Sequence, residues 1–204
     1  MISIYQLKPA FQNLLRPLVQ RLAAVGVTAN SVTLAAMVIS IALGVWLYVS
    51  ALTTPAWFLL LPLWMFVRMA FNAVDGMLAR EHHQQSPLGA YLNELSDVIS
   101  DAALYLPFCL IPPFSPLGIF AVIWCAALSE MTGALGPMIG VQRQYQGPMG
   151  KSDRAFVFGA LGLSVGLGFL LPAVLNWLPW VLCLLMAANM AARIKAALGE
   201  LPHC

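Results

Sequence analysis

The sequence predicts an all-α integral membrane protein with six transmembrane helices preceded by an N-terminal amphipathic surface helix. Composition is the first observation: 61% of the residues are hydrophobic, 9% are charged and the mean hydropathy is +0.83. Soluble domains are about half apolar and about a quarter charged, so the chain falls outside that class. The second observation is a series of apolar runs of about 20 residues, the length that spans a bilayer.

Prolines separate the predicted spans, as expected where helices begin and end. The pair Pro112–Pro113, for example, divides the third span from the fourth. No internal repeat is evident, so an inverted-repeat transporter is not favoured. No CxxC or Cys/His ligand spacing occurs, which argues against a zinc site or a disulfide framework. The predicted spans are residues 31–51, 56–80, 87–112, 115–140, 153–173 and 176–197.

The segment before the first span has a different pattern. Apolar residues from Leu7 to Leu18 recur at helical spacing, with basic and amide side chains between them. This pattern predicts an amphipathic helix over residues 4–24 that lies on the membrane surface. The expected organisation is a single domain, 1–204, with a juxtamembrane helix in 1–26 and a six-span bundle in 31–197.

The basic residues predict the orientation of the bundle. Nine of the ten Lys and Arg side chains lie before span 1 or near the loops after spans 2, 4 and 6. The loops after spans 1, 3 and 5 contain none. Because basic residues accumulate on the cytoplasmic side, both termini are expected inside. The tenth, Arg68, lies within span 2, and the short turn after that span, residues 82–85, is expected to be solvated.

Acidic residues inside the spans are the strongest indication of a functional site. Asp75, Glu94, Asp97, Asp101 and Glu130 all fall within predicted spans. An acidic side chain at the centre of a spanning helix costs on the order of 3 kcal/mol to insert. We therefore expect these side chains to face the bundle interior or a wet cavity.

Helical geometry gathers part of this set on the cytoplasmic third of spans 2 and 3. Asn72 and Asp75 are three residues apart, and Gly89, Asn93 and Asp97 are successive i, i+4 positions. No lysine or arginine is expected in this layer. Hard oxygen ligands that converge in this way suit Mg²⁺ or Mn²⁺. The neighbouring small residues would let a ligand or a facing helix approach the backbone.

A deeper layer is expected to be structural. Asp101 is predicted at the depth of Arg68, and an ion pair between them is favoured over a catalytic role. Glu130 could compete for that arginine, although a hydrogen-bonded partner between helices is favoured. Glu94 points about 60° away from Asp97 along its helix, and its role stays open.

These residues resemble the signature of the CDP-alcohol phosphatidyltransferase family, D-x2-D-G-x2-A-R-x8-G-x3-D-x3-D. Every spacing matches, and six of the eight fixed residues agree in type. The start of span 1, "TANSVT", and the six spans are also similar, in particular to a bacterial inner-membrane branch of the family. The matching positions are Asn72, Asp75, Gly76, Ala79, Arg80, Gly89, Asn93 and Asp97.

The resemblance implies a metal-dependent transferase of phospholipid biosynthesis. The hydroxyl of a polar acceptor alcohol would displace CMP from a CDP-alcohol, usually CDP-diacylglycerol. Asp97 would be the base, with Mg²⁺ or Mn²⁺ held by Asn72, Asp75, Asn93 and Asp97. The CDP-alcohol would be bound at Asp75, Gly76, Ala79, Arg80 and Gly89. The family also implies a homodimer in the bacterial inner membrane, with a cytoplasmic active site, membrane lipids as surroundings and no nucleic-acid partner.

Two departures from the family pattern bear on this expectation. Asn72 and Asn93 stand where the family has aspartates, so the four metal-ligand positions carry two negative charges in place of four. Weaker metal binding, or one ion in place of two, is expected, unless Glu94 or Asp101 restores charge. The alternative function is a non-catalytic CDP-lipid-binding or regulatory protein with a degenerate metal site.

The loop between spans 4 and 5 is the expected acceptor side. It carries Arg143, Lys151 and Arg154 at the cytoplasmic face, where basic residues also serve simply as anchors. Lys151-Ser152-Asp153-Arg154 resembles an R-x-[ED]-R element at which some family members hold the phosphate of their acceptor. This resemblance implies a phosphorylated or otherwise anionic acceptor.

Overall fold

The computed structural model describes the backbone of residues 4–201 and the side chains of residues 11–201, and all of its regular secondary structure is helical. The segment Ile4–Ala24, predicted as an amphipathic surface helix, forms a helix, and its position on a membrane surface stays a prediction. The α-helices are α1 (Ile4–Ala24), α2 (Ala29–Ser50), α3 (Leu60–Glu81), α4 (Pro87–Tyr105), α5 (Pro116–Ala134), α6 (Lys151–Gly166) and α7 (Leu178–Gly199).

Each predicted span coincides with one of the helices α2 to α7. By length and composition, four helical segments of the described chain qualify as membrane spans: Ala29–Ser50, Pro55–Glu81, Pro116–Ile139 and Ala173–Gly199. The helix α4 carries three acidic residues in its 19, and α6 has only 16 residues. The coarser prediction of a helical membrane protein is therefore supported, and the full count of six spans stays a prediction.

Several helix ends differ from the predicted bounds for local reasons. The third span continues beyond α4 only as a 3-10 turn, Leu106–Leu110, because Pro107 lacks the N–H of a regular helix. The fifth ends at Gly166, seven residues before the predicted end at Ala173. There the backbone reverses at Gly168, whose φ of +78° is readily adopted only by glycine.

The chain divides into two compact units, with divisions after Ile39, after Met65 and after Asp97. The helices α2, α3 and α4 each contribute to both units. All eight positions of the signature motif fall in the first unit, together with α1. The loop predicted as the acceptor side falls in the second unit.

The first unit is held by a small apolar core and by polar ties between its segments. Arg16 on α1 pairs with Glu81 at the end of α3, at 3.0 Å. The backbone N–H of Ala29 donates to Gln84 Oε1 at 2.7 Å, so the turn after α3 caps the start of α2. The expectation that Gln84 is merely solvated is therefore wrong. The core residues are Val19, Ala29, Val32, Val74, Met77 and Leu78.

The second unit has the larger core, centred on aromatic side chains. Phe108 makes edge-to-face contacts with Phe58 and Phe158, each with ring centroids 5.2 Å apart. Tyr105 stacks on Phe158 at 3.8 Å. A hydrogen bond of 2.9 Å from Ser129 on α5 to Asn189 on α7 joins two helices in this unit. Glu130, the residue after Ser129, is likewise buried.

Candidate active site

The site in the first unit is built around Asp75 on α3, a residue that is only 5% exposed. The hydroxyl of Thr33 on α2 donates to Asp75 Oδ2 at 2.7 Å and also contacts the carbonyl of Ala29 at 3.1 Å. A buried carboxylate requires such donors, because its desolvation is otherwise too costly. Asp75 is thus oriented by a residue of the "TANSVT" segment, which the sequence had marked only as a family resemblance.

The glycines of the motif lie where backbone approach matters. A Cβ atom at Gly89 would lie 2.9 Å from Asn30 Oδ1, so the Asn30 side chain of α2 would have to shift to admit a larger residue at this position of α4. A Cβ atom at Gly76 would lie 3.1 Å from Nη2 of Arg80, whose guanidinium therefore covers Gly76. The helices α2, α3 and α4 consequently converge on the motif within this unit.

Arg68 joins the two motif helices. Its Nη2 atom lies 3.2 Å from Asp97 Oδ1 and 3.2 Å from the Asp97 carbonyl oxygen. The Arg68 side chain is 4% exposed and that of Asp97 is 15% exposed. The prediction that no basic side chain would enter the layer of Asp97 is therefore wrong. Arg68 is four residues before Asn72, which places it on the same helical face.

Most of the other motif residues, and Glu94 beside them, are half-buried. The half-buried positions are Asn72, Gly76, Ala79, Gly89, Asn93 and Glu94, whereas Arg80 is exposed. Partial exposure is what a site needs if a polar substrate is to reach it from the surface. The ligand and substrate-binding roles of these residues stay predictions.

A second polar cluster lies in the second unit, around Arg154 at the start of α6. Arg154 Nη2 contacts Asp101 Oδ2 at 3.1 Å and Glu130 Oε1 at 2.9 Å. The side chain is 1% exposed, and its Nη1 donates to the carbonyl of Met149 at 3.2 Å. The prediction that Glu130 is a hydrogen-bonded partner between helices is confirmed. Asp101 takes part in an ion pair, and Arg154 is one partner, whereas the predicted pair of Asp101 with Arg68 stays a prediction.

Two further arginines share Glu130. Arg143 Nη2 lies 3.0 Å from Glu130 Oε2, and Arg193 Nη1 on α7 lies 3.7 Å from the same oxygen. The Arg193 guanidinium also donates to the carbonyl of Ser129. We call Arg143, Arg154 and Arg193, with Asp101 and Glu130, the arginine cluster. Its five side chains have a formal charge of +1, from three guanidinium groups and two carboxylates.

Arg143, in the loop between α5 and α6, has the most exposed side chain of this cluster. Its guanidinium carbon lies 5.0 Å from the Tyr145 ring centroid, and its side chain is 20% exposed. Burial lowers the pKa of Arg143 from its ordinary value, Tyr145 opposes that shift and Arg193 adds to it. Lys151, the other basic residue predicted here, is half-buried at the first position of α6. Asp153 accepts from the N–H of Gly150 at 3.1 Å, as expected of an acid at a helix start.

Sequence reasoning missed Thr33, Arg193 and the Arg68–Asp97 pair as site features. The sequence indicated Arg193 only as one of the basic residues that orient the bundle in the membrane. Nothing in the neighbouring sequence points to Glu130, which lies 63 positions earlier. Thr33 could have been found from its place in "TANSVT". Arg68 had been placed on the face of Asn72, but a residue count along two helices could not show that it contacts Asp97.

The four positions predicted to hold a metal ion carry two carboxylates and two amides. No group of three or more His, Cys, Asp or Glu side chains within residues 11–201 is placed to hold a metal ion. Asp75 and Asp97 are the only carboxylates at the four ligand positions, and Asp97 is already paired with Arg68. Asn72 and Asn93 offer neutral amide oxygens, which bind hard cations without offsetting their charge. That these four side chains hold Mg²⁺ or Mn²⁺ stays a prediction.

Comparison with known proteins agrees with this motif. The sequence model of the CDP-alcohol phosphatidyltransferase family matches residues 26–191. The chain belongs to the CDP-alcohol phosphatidyltransferase family. Family membership, phospholipid biosynthesis and the phosphotransferase class predicted from the motif are therefore supported.

Similar proteins indicate the branch of the CDP-alcohol phosphatidyltransferase family in which this chain falls. It is 48% identical to the inner membrane protein YnbA of Escherichia coli K12 over 179 residues, 88% of this chain and 85% of YnbA. The predicted bacterial inner-membrane branch is thus confirmed. It is 29% identical over 121 residues to archaetidylinositol phosphate synthase of Aeropyrum pernix, 57% of this chain and 62% of that one.

Solved structures show the same fold. The phosphatidylinositol phosphate synthase PgsA1 of Mycobacterium tuberculosis with CDP-DAG bound superposes with a TM-score of 0.71 at 21% identity, covering 89% of this chain and 92% of PgsA1. PgsA1 in complex with manganese and citrate gives a TM-score of 0.72 at 20% identity, with 92% of each chain covered. At these identities the likeness concerns the fold, and the ligands are those of PgsA1.

Proposed function

We propose that this protein transfers a phosphatidyl-type group from a CDP-alcohol, namely CDP-diacylglycerol or a similar lipid, to the hydroxyl of a polar acceptor alcohol. The observation that carries the proposal is the pair of motif carboxylates, Asp75 and Asp97, brought into one compact unit with the motif glycines. Support for the donor comes from the family and from PgsA1, which shares this fold and was solved with CDP-DAG bound.

The proposed reaction is a displacement at phosphorus. The acceptor oxygen forms a bond to the phosphorus that carries the lipid alcohol, the bond from that phosphorus to CMP breaks, and CMP leaves. Asp97 takes the proton of the acceptor hydroxyl, the part expected of a positioned carboxylate. Asp75, oriented by Thr33, faces the diphosphate with Asn72 and Asn93. A bound Mg²⁺ or Mn²⁺ would neutralise phosphate oxygens and so assist attack.

The acceptor is proposed to be phosphorylated or otherwise anionic. Three arginines meet at Glu130, and their cluster has a formal charge of +1 in the interior of the second unit. The Nε atom of Arg154 is buried without a hydrogen-bond partner among the described residues. Arginine forks match phosphate geometry, so the arginine cluster suits an anionic group. Lys151, beside it in sequence, would add a further positive charge.

The proposed setting is the bacterial inner membrane, with termini and active site on the cytoplasmic side. The distribution of basic residues supports this orientation, and the similarity to an E. coli inner membrane protein supports the membrane. A homodimer is proposed on the family resemblance alone.

A non-catalytic CDP-lipid-binding or regulatory role is the second candidate. The amides Asn72 and Asn93, together with the pairing of Asp97 to Arg68, favour it, because both reduce the charge available to a metal. In this role the protein would bind the CDP-alcohol, and Asp97 would not act as a base.

One assay separates the two candidates. The purified protein in detergent is mixed with CDP-diacylglycerol, Mg²⁺ or Mn²⁺ and a panel of polar alcohols in phosphorylated and unphosphorylated forms, and CMP is measured. Release of CMP with an acceptor, abolished by EDTA and restored by either metal, supports the transferase. Binding of CDP-diacylglycerol without CMP release under every combination would instead support the binding role.

A further inference from the structure

Arg68 is a buried basic residue on the face of α3 that carries Asn72 and Asp75. It is not one of the positions in the family signature. It lies one helical turn before Asn72 and two turns before Asp75, so it shares their face. Its Nη2 atom holds Asp97 through both the carboxylate and the backbone oxygen, at 3.2 Å each. The two motif helices are therefore joined at Asp97 by a permanent positive charge, since a guanidinium does not lose its proton in proteins.

The charges at the four ligand positions differ from those of the family pattern. Four aspartates carry −4, which two divalent cations balance. Here Asp75 and Asp97 carry −2, and the Arg68 guanidinium reduces the sum to −1. One divalent cation would bring the sum to +1, and two would bring it to +3. A second cation would therefore meet net repulsion before substrate arrives.

We propose that Arg68 takes the place of one divalent cation, so that this protein works with a single bound metal ion held by Asn72, Asp75, Asn93 and Asp97. The proposal rests on the proposed function and deepens it. It also explains why the two amides and the buried arginine occur together in one chain: each removes the negative charge that a second ion would need. Arg68 is a positioning residue, because it acts through Asp97.

The rival explanation is a purely structural ion pair. It predicts that loss of Arg68 weakens folding and leaves the metal affinity unchanged or lowered. If Arg68 takes the place of a cation, loss of Arg68 has the opposite effect on the metal affinity. A divalent ion then binds more tightly, because a nearby positive charge has been removed. The two explanations therefore differ in the sign of one measured quantity.

The test counts Mn²⁺ on the full-length protein in detergent, using electron paramagnetic resonance of the free ion during titration. The wild type is expected to bind one Mn²⁺ per chain. Arg68→Gln is expected to lower the Kd for Mn²⁺ by about tenfold, because a like charge has been removed nearby. Arg68→Lys, which keeps the charge, is the matched control and is expected to stay within about twofold of the wild type. Gel filtration and thermal denaturation establish that each variant is folded.

A second variant covers the case in which Arg68→Gln does not fold. The double substitution Asn72→Asp with Asn93→Asp keeps Arg68 and restores the family charges, so it is expected to bind a second Mn²⁺. The proposal would be overturned if the wild type bound two Mn²⁺ ions or none, or if the double variant bound only one. It would also be overturned if folded Arg68→Gln had the same Kd for Mn²⁺ as the wild type.

Metal counting also keeps this inference separate from the proposed function. CMP release by a protein that binds two Mn²⁺ ions would overturn the role of Arg68 and leave the transferase standing. The expected Mn²⁺ counts and shifts, without CMP release from any acceptor, would overturn the transferase and leave Arg68 as the built-in cation of a binding site.

Discussion

The hydroxyl of Thr33 donates a 2.7 Å hydrogen bond to Oδ2 of Asp75, and both side chains are buried. One oxygen of the Asp75 carboxylate is therefore held by a side chain of α2, and the orientation of this carboxylate is set before any ligand binds. Asp75 is thus supported by a neighbouring helix and not only by its own.

Removal of this hydroxyl is expected to slow the reaction. Thr33→Val keeps the shape of the side chain and deletes a hydrogen bond to a charged group, worth about 1.5–3 kcal/mol. We expect CMP release to fall by about tenfold or more, since each ~1.4 kcal/mol is a factor of ten. Thr33→Ser keeps the hydroxyl and should retain most of the rate. Equal rates for the valine and serine variants would show that Asp75 needs no such support.

Asp97 is expected to be indispensable for turnover. Asp97→Asn removes the proposed base, and loss of a general base costs about 10²–10⁴ in rate. CMP release should become undetectable or nearly so, while CDP-diacylglycerol still binds. Glu94→Gln, on the same helix and half-buried, is the matched acid-to-amide control. If Asp97→Asn turned over at the wild-type rate, another group would be the base, and Asp101→Asn, folded and inactive, would identify it one turn deeper.

Glu130 is expected to matter for stability more than an exposed acid. It contacts Arg143, Arg154 and Arg193, so Glu130→Gln leaves three guanidinium groups with less compensation. Breaking a buried ion pair on one side costs about 3–5 kcal/mol. The melting temperature in detergent should fall clearly.

The control for Glu130 is an acid in an exposed ion pair. Glu81 pairs with Arg16 at 3.0 Å, with more than a third of each side chain exposed. Because exposed pairs contribute about 0–1 kcal/mol, Glu81→Gln should change the melting temperature little. Equal melting temperatures for the two variants would argue against a structural role for the arginine cluster.

Arg143 is expected to select the acceptor. It is the most exposed member of the arginine cluster, and a charge-assisted contact to phosphate is worth about 1.5–3 kcal/mol. Arg143→Gln should raise the KM for a phosphorylated acceptor by about tenfold or more and leave the KM for CDP-diacylglycerol unchanged. Lys195→Gln, an exposed basic residue of α7, should change neither. A rise in both KM values would indicate a general structural defect.

Much of the fold could be predicted because its causes are local. Apolar runs of about 20 residues, ended by proline or glycine, predict helices wherever they occur. Six such predictions coincide with α2 to α7. Two of them ended too late, at Pro112 and at Ala173, because Pro107 interrupts one helix and the chain reverses at Gly168 after the other.

The candidate site could be predicted only in part. The motif positions followed from spacing, since residues three or four apart share a helical face. The contact of Arg68 with Asp97 did not follow, because neighbouring helices can shift along each other by a fraction of a turn without any change in local sequence. Such a shift decides whether Arg68 meets Asp97, as it does at 3.2 Å.

The helical membrane class, the signature motif and its two amides could be read from the chain alone, because composition, periodicity and spacing are properties of the chain. The folded packing was needed to establish that Thr33 holds Asp75, that Arg68 holds Asp97 and that Arg193 joins the arginine cluster at Glu130. These contacts join side chains far apart in sequence, and hydrogen bonds and ion pairs form only within about 3–4 Å.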